Sequence, residues 1–238
     1  KRPGDFTVMD ESKANYTQKI VRGTGWIFIM TILGTAIAYL MRVILARRFT
    51  PSEYGLFYSV FTVVTLFLFV RDLGLNQALV KYIAEFRVHE KYNHIKTVMV
   101  SVLTFQLASS ILFGIVAFLA ADFLAVHYFK NPAAAVILKG LLLYLFGSVF
   151  YKIIRSSFQA FQKTKIYSIT EPLKNGATLI LLLIFLHFGF GLQAATYAYA
   201  LVCFLLTLIL FIPFLRTFSF FKYNVADFGD TTKKLFLF

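Results

Sequence analysis

Arg42 to Phe57 (RVILARRFTPSEYGLF) and Arg71 to Phe86 (RDLGLNQALVKYIAEF) put ionisable groups inside segments that are otherwise apolar enough to sit in lipid. A charge near the bilayer centre costs at least ~2.5 kcal/mol by insertion scales, so by default it faces protein or a water-filled cavity. A passive anchor has no use for such groups. The surrounding chain has 238 residues, 59% of them hydrophobic and 15% charged, where a soluble domain carries roughly 25% charged residues. Apolar stretches at about Gly23 to Ala46, Tyr54 to Val80, Thr97 to Ala121, Ala133 to Ile154, Leu173 to Phe188 and Leu192 to Phe214 have the length needed to cross a hydrocarbon core of ~30 Å. The expectation is an all-α, polytopic membrane protein. It comprises an N-terminal segment over 1–22, a six-helix transmembrane lobe over 23–214 and a linker over 215–238.

The breaks between the stretches carry helix-end chemistry. Thr50-Pro51-Ser52-Glu53 offers an N-cap, a Pro at the first helical position and a Glu placed to close a capping box. Asn131-Pro132 repeats the cap-then-Pro pattern, and Gly189-Phe190-Gly191 reads as a tight turn. The net charge of +13 is compatible with a nucleic-acid binder, but its distribution is not. Lys and Arg alternate between rich and poor segments as the stretches are crossed, 18 in the rich ones and three in the poor ones. By the positive-inside rule both termini are cytoplasmic.

The first 22 residues have no signal-peptide pattern. The sequon Asn15-Tyr16-Thr17 falls on the side expected to be cytoplasmic. Cys203 is alone and mid-span, and the four His have no metal-ligand spacing, so no disulfide, metal or cofactor is expected. The chain begins at Lys1 and ends at Phe238, just after Lys233-Lys234 and four apolar residues that resemble the start of another span. The expectation is a fragment of a longer protein.

Arg42 shares its helical face with Ala38, Thr35, Gly34 and Thr31, small and hydroxylated residues that mark close packing or a cavity wall. The alternative is that it snorkels to the interface with Arg47 and Arg48. In the second stretch Tyr58, Thr62, Thr65, Asp72 and Asn76 fall on one stripe with Gln77 beside it, and an apolar helix carries such a stripe where it lines something wet. Arg71 points about 100° away from Asp72 and is expected to snorkel to the inner headgroups. Glu171-Pro172-Leu173-Lys174-Asn175-Gly176 reads either as a loosened polar entry into the fifth span or as an ordinary helix start at Pro172. Arg155, Gln159, Lys163 and Lys165 are placed to hold anionic headgroups or a phosphorylated substrate.

These residues resemble the polysaccharide transport branch of the MOP/MATE flippase superfamily. The resemblance is carried by Arg42-Val-Ile-Leu-Ala46-Arg-Arg, Pro51-Ser-Glu-Tyr54-Gly55-Leu-Phe and Asp72-Leu-Gly74-Leu-Asn-Gln-Ala78-Leu-Val-Lys81-Tyr, with the basic stretch Arg155 to Tyr167. It implies one lobe of a two-lobed transporter, with a second six-helix lobe in the full-length chain and no enzymatic step. The implied cargo is a polyprenyl-pyrophosphate-linked oligosaccharide, moved from the cytoplasmic to the outer leaflet of the cell membrane. The drug-exporting sister branch usually carries a carboxylate in the first helix, whereas this chain has Arg42 there, which favours anionic cargo. The implied cavity residues are Arg42, Thr62, Thr65, Asp72, Asn76, Gln77, Arg155 and Asn175, with Asp72 or Glu171 for ion coupling. The competing readings are a multidrug exporter and a membrane-embedded assembly protein or enzyme acting on the same lipid carrier.

Overall fold

The computed structural model describes residues 4–226, 228, 229, 232 and 233, with side chains from Val21 onward. The apolar residues 235–238, expected to begin a further span, lie outside the described residues, as do the side chains of the Asn15 sequon. The regular secondary structure described is helical throughout: α1 (Gly4–Arg48), α2 (Pro51–Asp72), α3 (Leu75–Val88), α4 (Tyr92–Phe123), α5 (Ala133–Ala160), α6 (Thr164–His187) and α7 (Gln193–Thr217). Helix α4 runs on through a π-helical turn, Leu124–Tyr128. Among the described residues six stretches are long and apolar enough to cross a membrane, with α2 and α3 together making the second.

The ends follow their residues. Thr50 caps α2 through its hydroxyl to the Glu53 amide, and the Glu53 carboxylate accepts from the Thr50 amide at 2.9 Å, closing the capping box. Asn131 Oδ1 accepts from the Ala133 amide at 3.0 Å, so it covers the first turn of α5 from one residue before Pro132. Gly189 and Gly191 take positive φ in the α6–α7 turn.

Two elements differ from expectation. The second span is not one helix, because Leu73 (φ 34°) and Gly74 (φ 86°) are both left-handed and separate α2 from α3. Glycine takes that conformation without a Cβ penalty, and Asp72 Oδ1 accepts from the Asn76 amide at 3.2 Å, covering a free donor in the first turn of α3. The fifth span begins at Thr164, well before Leu173, so Pro172 is buried inside α6 rather than starting it. A Pro in a helix interior is tolerated where neighbouring groups compensate, and here the backbone of α1 closes on it at Gly34. A Cβ on Gly34 would lie 3.2 Å from Pro172 N.

Helix α5 is the centre of the bundle and touches α2, α3, α4, α6 and α7, while α1 leans chiefly on α6. Some 56% of the apolar stretch of α5 is buried, against 11% of that of α1. Small residues let α5 and α7 approach, since a Cβ on Gly147 would stand 3.1 Å from Cys203 Cβ. After α7 the chain turns back as a strap across the start of α4. Lys96 Nζ donates to Tyr223 O (2.7 Å), the Asn224 amide to Asn93 Oδ1 (3.2 Å) and the Ala226 amide to Thr97 Oγ1 (2.9 Å).

Candidate functional site

The polar side chains in the apolar helices separate into a dry group and a partly exposed one. In the dry group Arg71, 1% exposed, crosses from α2 to α4 and α5. Its Nη1 donates to Leu145 O (2.6 Å), Ser148 Oγ (3.1 Å) and Ser110 Oγ (3.4 Å). Gln106, one turn from Ser110 on α4, is also fully buried. Arg71 therefore does not snorkel to headgroups, because its α2 face is the one packed against α5.

The partly exposed group is built on α5 and α6. Lys152, Arg155 and Ser156 recur on α5 at helical spacing and so share a face. Lys152 Nζ lies 3.5 Å from Asp72 Oδ2, and Asn76 Nδ2 donates to Asp72 Oδ1 at 2.6 Å. Arg155 Nη2 lies 3.6 Å from Glu171 Oε2 and its Nε donates to Thr170 Oγ1 at 3.1 Å. Lys174 pairs with the other oxygen of Glu171, one turn along α6. Electrostatically, Lys152 is in range of Lys174 and of both Asp72 and Glu171. Three cations therefore surround two carboxylates, all of them 19–35% exposed as side chains. Ion pairs that accessible are worth about 0–1 kcal/mol each and exchange partners readily.

An aromatic ladder runs from this group toward Arg42. Tyr144 meets Tyr199 edge-on (5.7 Å between ring centroids), and Tyr199 lies tilted against Phe61 (4.8 Å), as Tyr54 does against Tyr58 (4.6 Å). Phe61 meets Tyr58 edge-on at 6.5 Å, and the Arg42 guanidinium lies 5.9 Å from the Tyr58 ring. Tyr144 in turn is in electrostatic range of Tyr151 and Glu171. Ring faces beside hydroxyls and charges suit a sugar, whose C–H faces stack while its hydroxyls hydrogen-bond.

Among the residues singled out from sequence, the fold brings Asp72 and Asn76 together, and likewise Arg155 and Glu171. Asn175 Nδ2 donates to Gly34 O at 2.9 Å and ties α6 to α1. Arg42 is exposed and lies at the far end of the ladder. Thr62 and Thr65 are exposed, with hydroxyls donating to the carbonyls of Tyr58 and Phe61 in their own helix. Gln77 is exposed on α3, past the break.

Residues 20–238 match the model of a family described as polysaccharide biosynthesis protein. The chain belongs to that family. The chain also resembles a Methanocaldococcus jannaschii protein described as an uncharacterized membrane protein, 33% identical over 119 residues. That match covers 49% of this chain and 23% of the other protein's length. No solved structure matches this family member.

Sequence reasoning passed over Lys152, Lys174, Tyr144 and Tyr199 as site residues. For Lys152 a signal existed in its spacing to Arg155 and Ser156. For the tyrosines none existed, because two rings 55 residues apart on different helices meet only once α5 and α7 pack.

Proposed function

We propose that this chain is one six-helix lobe of a transporter that flips polyprenyl-pyrophosphate-linked oligosaccharide across the cell membrane for polysaccharide biosynthesis. The carrying observation is the cluster of Lys152, Arg155 and Lys174 around Asp72 and Glu171, partly exposed beside the aromatic ladder. Its charge balance is positive. Pyrophosphate is polyanionic and is held by charge-assisted hydrogen bonds in a low-dielectric surface. The sugar would lie along Tyr144, Tyr199, Phe61 and Tyr58 toward Arg42. Membership of a polysaccharide biosynthesis family supports this cargo.

In this reading the cargo phosphates compete with Asp72 and Glu171 for the same cations. Protonation of either carboxylate frees Lys152, or Arg155 and Lys174, for cargo, which would couple loading to a proton gradient without any catalytic step. The lobe then rocks against a second six-helix lobe supplied by the rest of the full-length chain, both ends of this lobe being cytoplasmic. A cation exporter is disfavoured because both carboxylates of the cluster already have cationic partners.

The test is the rate at which a labelled polyprenyl-pyrophosphate oligosaccharide becomes accessible on the opposite face of proteoliposomes holding the full-length protein. Acceleration over empty vesicles is expected, with Lys152→Gln and Lys174→Gln each slowing it about tenfold for the loss of one charge-assisted contact. No acceleration by folded protein, or unchanged rates in both variants, would overturn the reading.

A further inference from the structure

At the basic end of the bundle, away from the cluster just described, a pocket of about 310 Å³ opens where several helices stop. Arg87 comes from the last turn of α3, Tyr92 from the start of α4, Phe161 and Lys163 from the α5–α6 turn and Thr217 from the end of α7. Phe218, Ser219 and Tyr223 come from the strap. Arg87, Tyr92, Phe161, Lys163 and Thr217 stand at or next to the ends of membrane-crossing stretches, which is the depth of lipid headgroups.

The wall is a stack of rings: Phe161 on Phe218 (5.6 Å between centroids), Phe218 on Tyr223 (5.3 Å) and Tyr223 on Tyr92 (5.2 Å). The Arg87 guanidinium lies 5.9 Å from the Phe161 ring at one end of that stack. Arg87 and Lys163 have no carboxylate partner among the described residues, unlike Lys152, Arg155 and Lys174. Glu85 of α3 and Glu90 of the α3–α4 turn do not line the pocket. Two cations without a carboxylate partner among the described residues therefore share a ring-walled pocket with the hydroxyls of Thr217 and Ser219.

We propose that this pocket binds a phosphoryl group. Arg87 offers its planar fork to two phosphoryl oxygens, Lys163 a point charge, and the hydroxyls further donors. The group is carried by an anionic membrane lipid at headgroup depth or by a free phosphorylated compound. Occupancy would pin the strap to the ends of α3 and α5, and so stiffen the segment that leads out of the lobe. The proposal stands independently of the transport reading.

The test uses full-length protein in phosphatidylcholine nanodiscs, titrated with phosphatidic acid in one arm and inorganic pyrophosphate in the other. The Arg87→Gln/Lys163→Gln variant is compared with Lys91→Gln/Lys165→Gln, which removes equal charge from the same end outside the pocket. The pocket variant should bind about 30-fold more weakly than wild type, from two lost cations, and the control variant far less so. Loss confined to phosphatidic acid identifies a lipid headgroup, and loss confined to pyrophosphate a soluble ligand. Wild-type protein that binds neither probe, or two variants that weaken binding equally, would overturn the proposal. All of these side chains are at an exposed end, and matched thermal unfolding of the variants confirms that folding is not the cause.

Discussion

Arg71 and Asp72 leave the last turn of α2 about 100° apart, and the bundle houses them in opposite ways. Arg71 is 1% exposed, with carbonyl and hydroxyl partners on α4 and α5 and no ion pair among the described residues. Asp72 is 26% exposed as a side chain, shares its oxygens between Lys152 and Asn76, and covers the start of α3. A charge in an apolar helix can thus brace the fold or serve a ligand, and accessibility separates the two. No ligand reaches Arg71 without unpacking α5, whereas the ion pairs around Asp72 can exchange.

The sharpest way to break this comparison is to truncate each residue. Arg71→Ala should destabilise the protein by about 2–4 kcal/mol through the cavity it leaves, read as thermal unfolding in detergent. Asp72→Asn should cost under about 1 kcal/mol. Arg71→Met, which refills the volume, should recover most of the loss; a Met variant as unstable as the Ala variant would mean that the guanidinium hydrogen bonds, not packing, hold α2 to α5. Equal losses at 71 and 72 would erase the distinction between dry and accessible groups.

A next, smaller effect sharpens the accessible side. Gly34→Leu inserts a side chain where a Cβ already lies 3.2 Å from Pro172 N, and it should cost about 1–3 kcal/mol while parting α1 from α6. The same change should weaken the Asn175 bond to Gly34 O, so protease susceptibility in α1 should rise before that in α5. The smallest effect belongs to the cap between α1 and α2. Thr50→Ala should cost about 1 kcal/mol without altering either charged group, and a larger loss would mean that the α1–α2 corner supports the ion cluster.

Much of the fold is legible in the chain because membrane-crossing helices announce themselves locally. Six apolar stretches, the capping box at Thr50 and the turn at Gly189 depend on neighbours within a few residues. The break at Leu73-Gly74 was less legible, since a single Gly inside an apolar run is tolerated in many spans; the left-handed pair forms where Asp72 can cover the next helix. Pro172 reads as a helix start because Pro usually is one. It sits mid-helix here because α1 closes against it at Gly34, a contact between residues far apart in sequence.

The candidate site divides along the same line. The presence of Asp72, Arg155 and Glu171 at the edge of apolar stretches was visible from composition and spacing, as was Arg42 at the end of the first. Which cation meets which carboxylate was not, because those pairs span helices. Arg71 shows the limit best: its side-chain direction relative to Asp72 follows from helix geometry, but burial depends on what stands opposite. The sequence by itself determined a six-span helical membrane protein with charges its apolar segments must accommodate, because hydropathy and helix-end chemistry act over short distances. Only the tertiary structure decided that Arg71 is sealed between α4 and α5 while Asp72 joins Lys152, because burial and ion pairing are properties of contacts between helices.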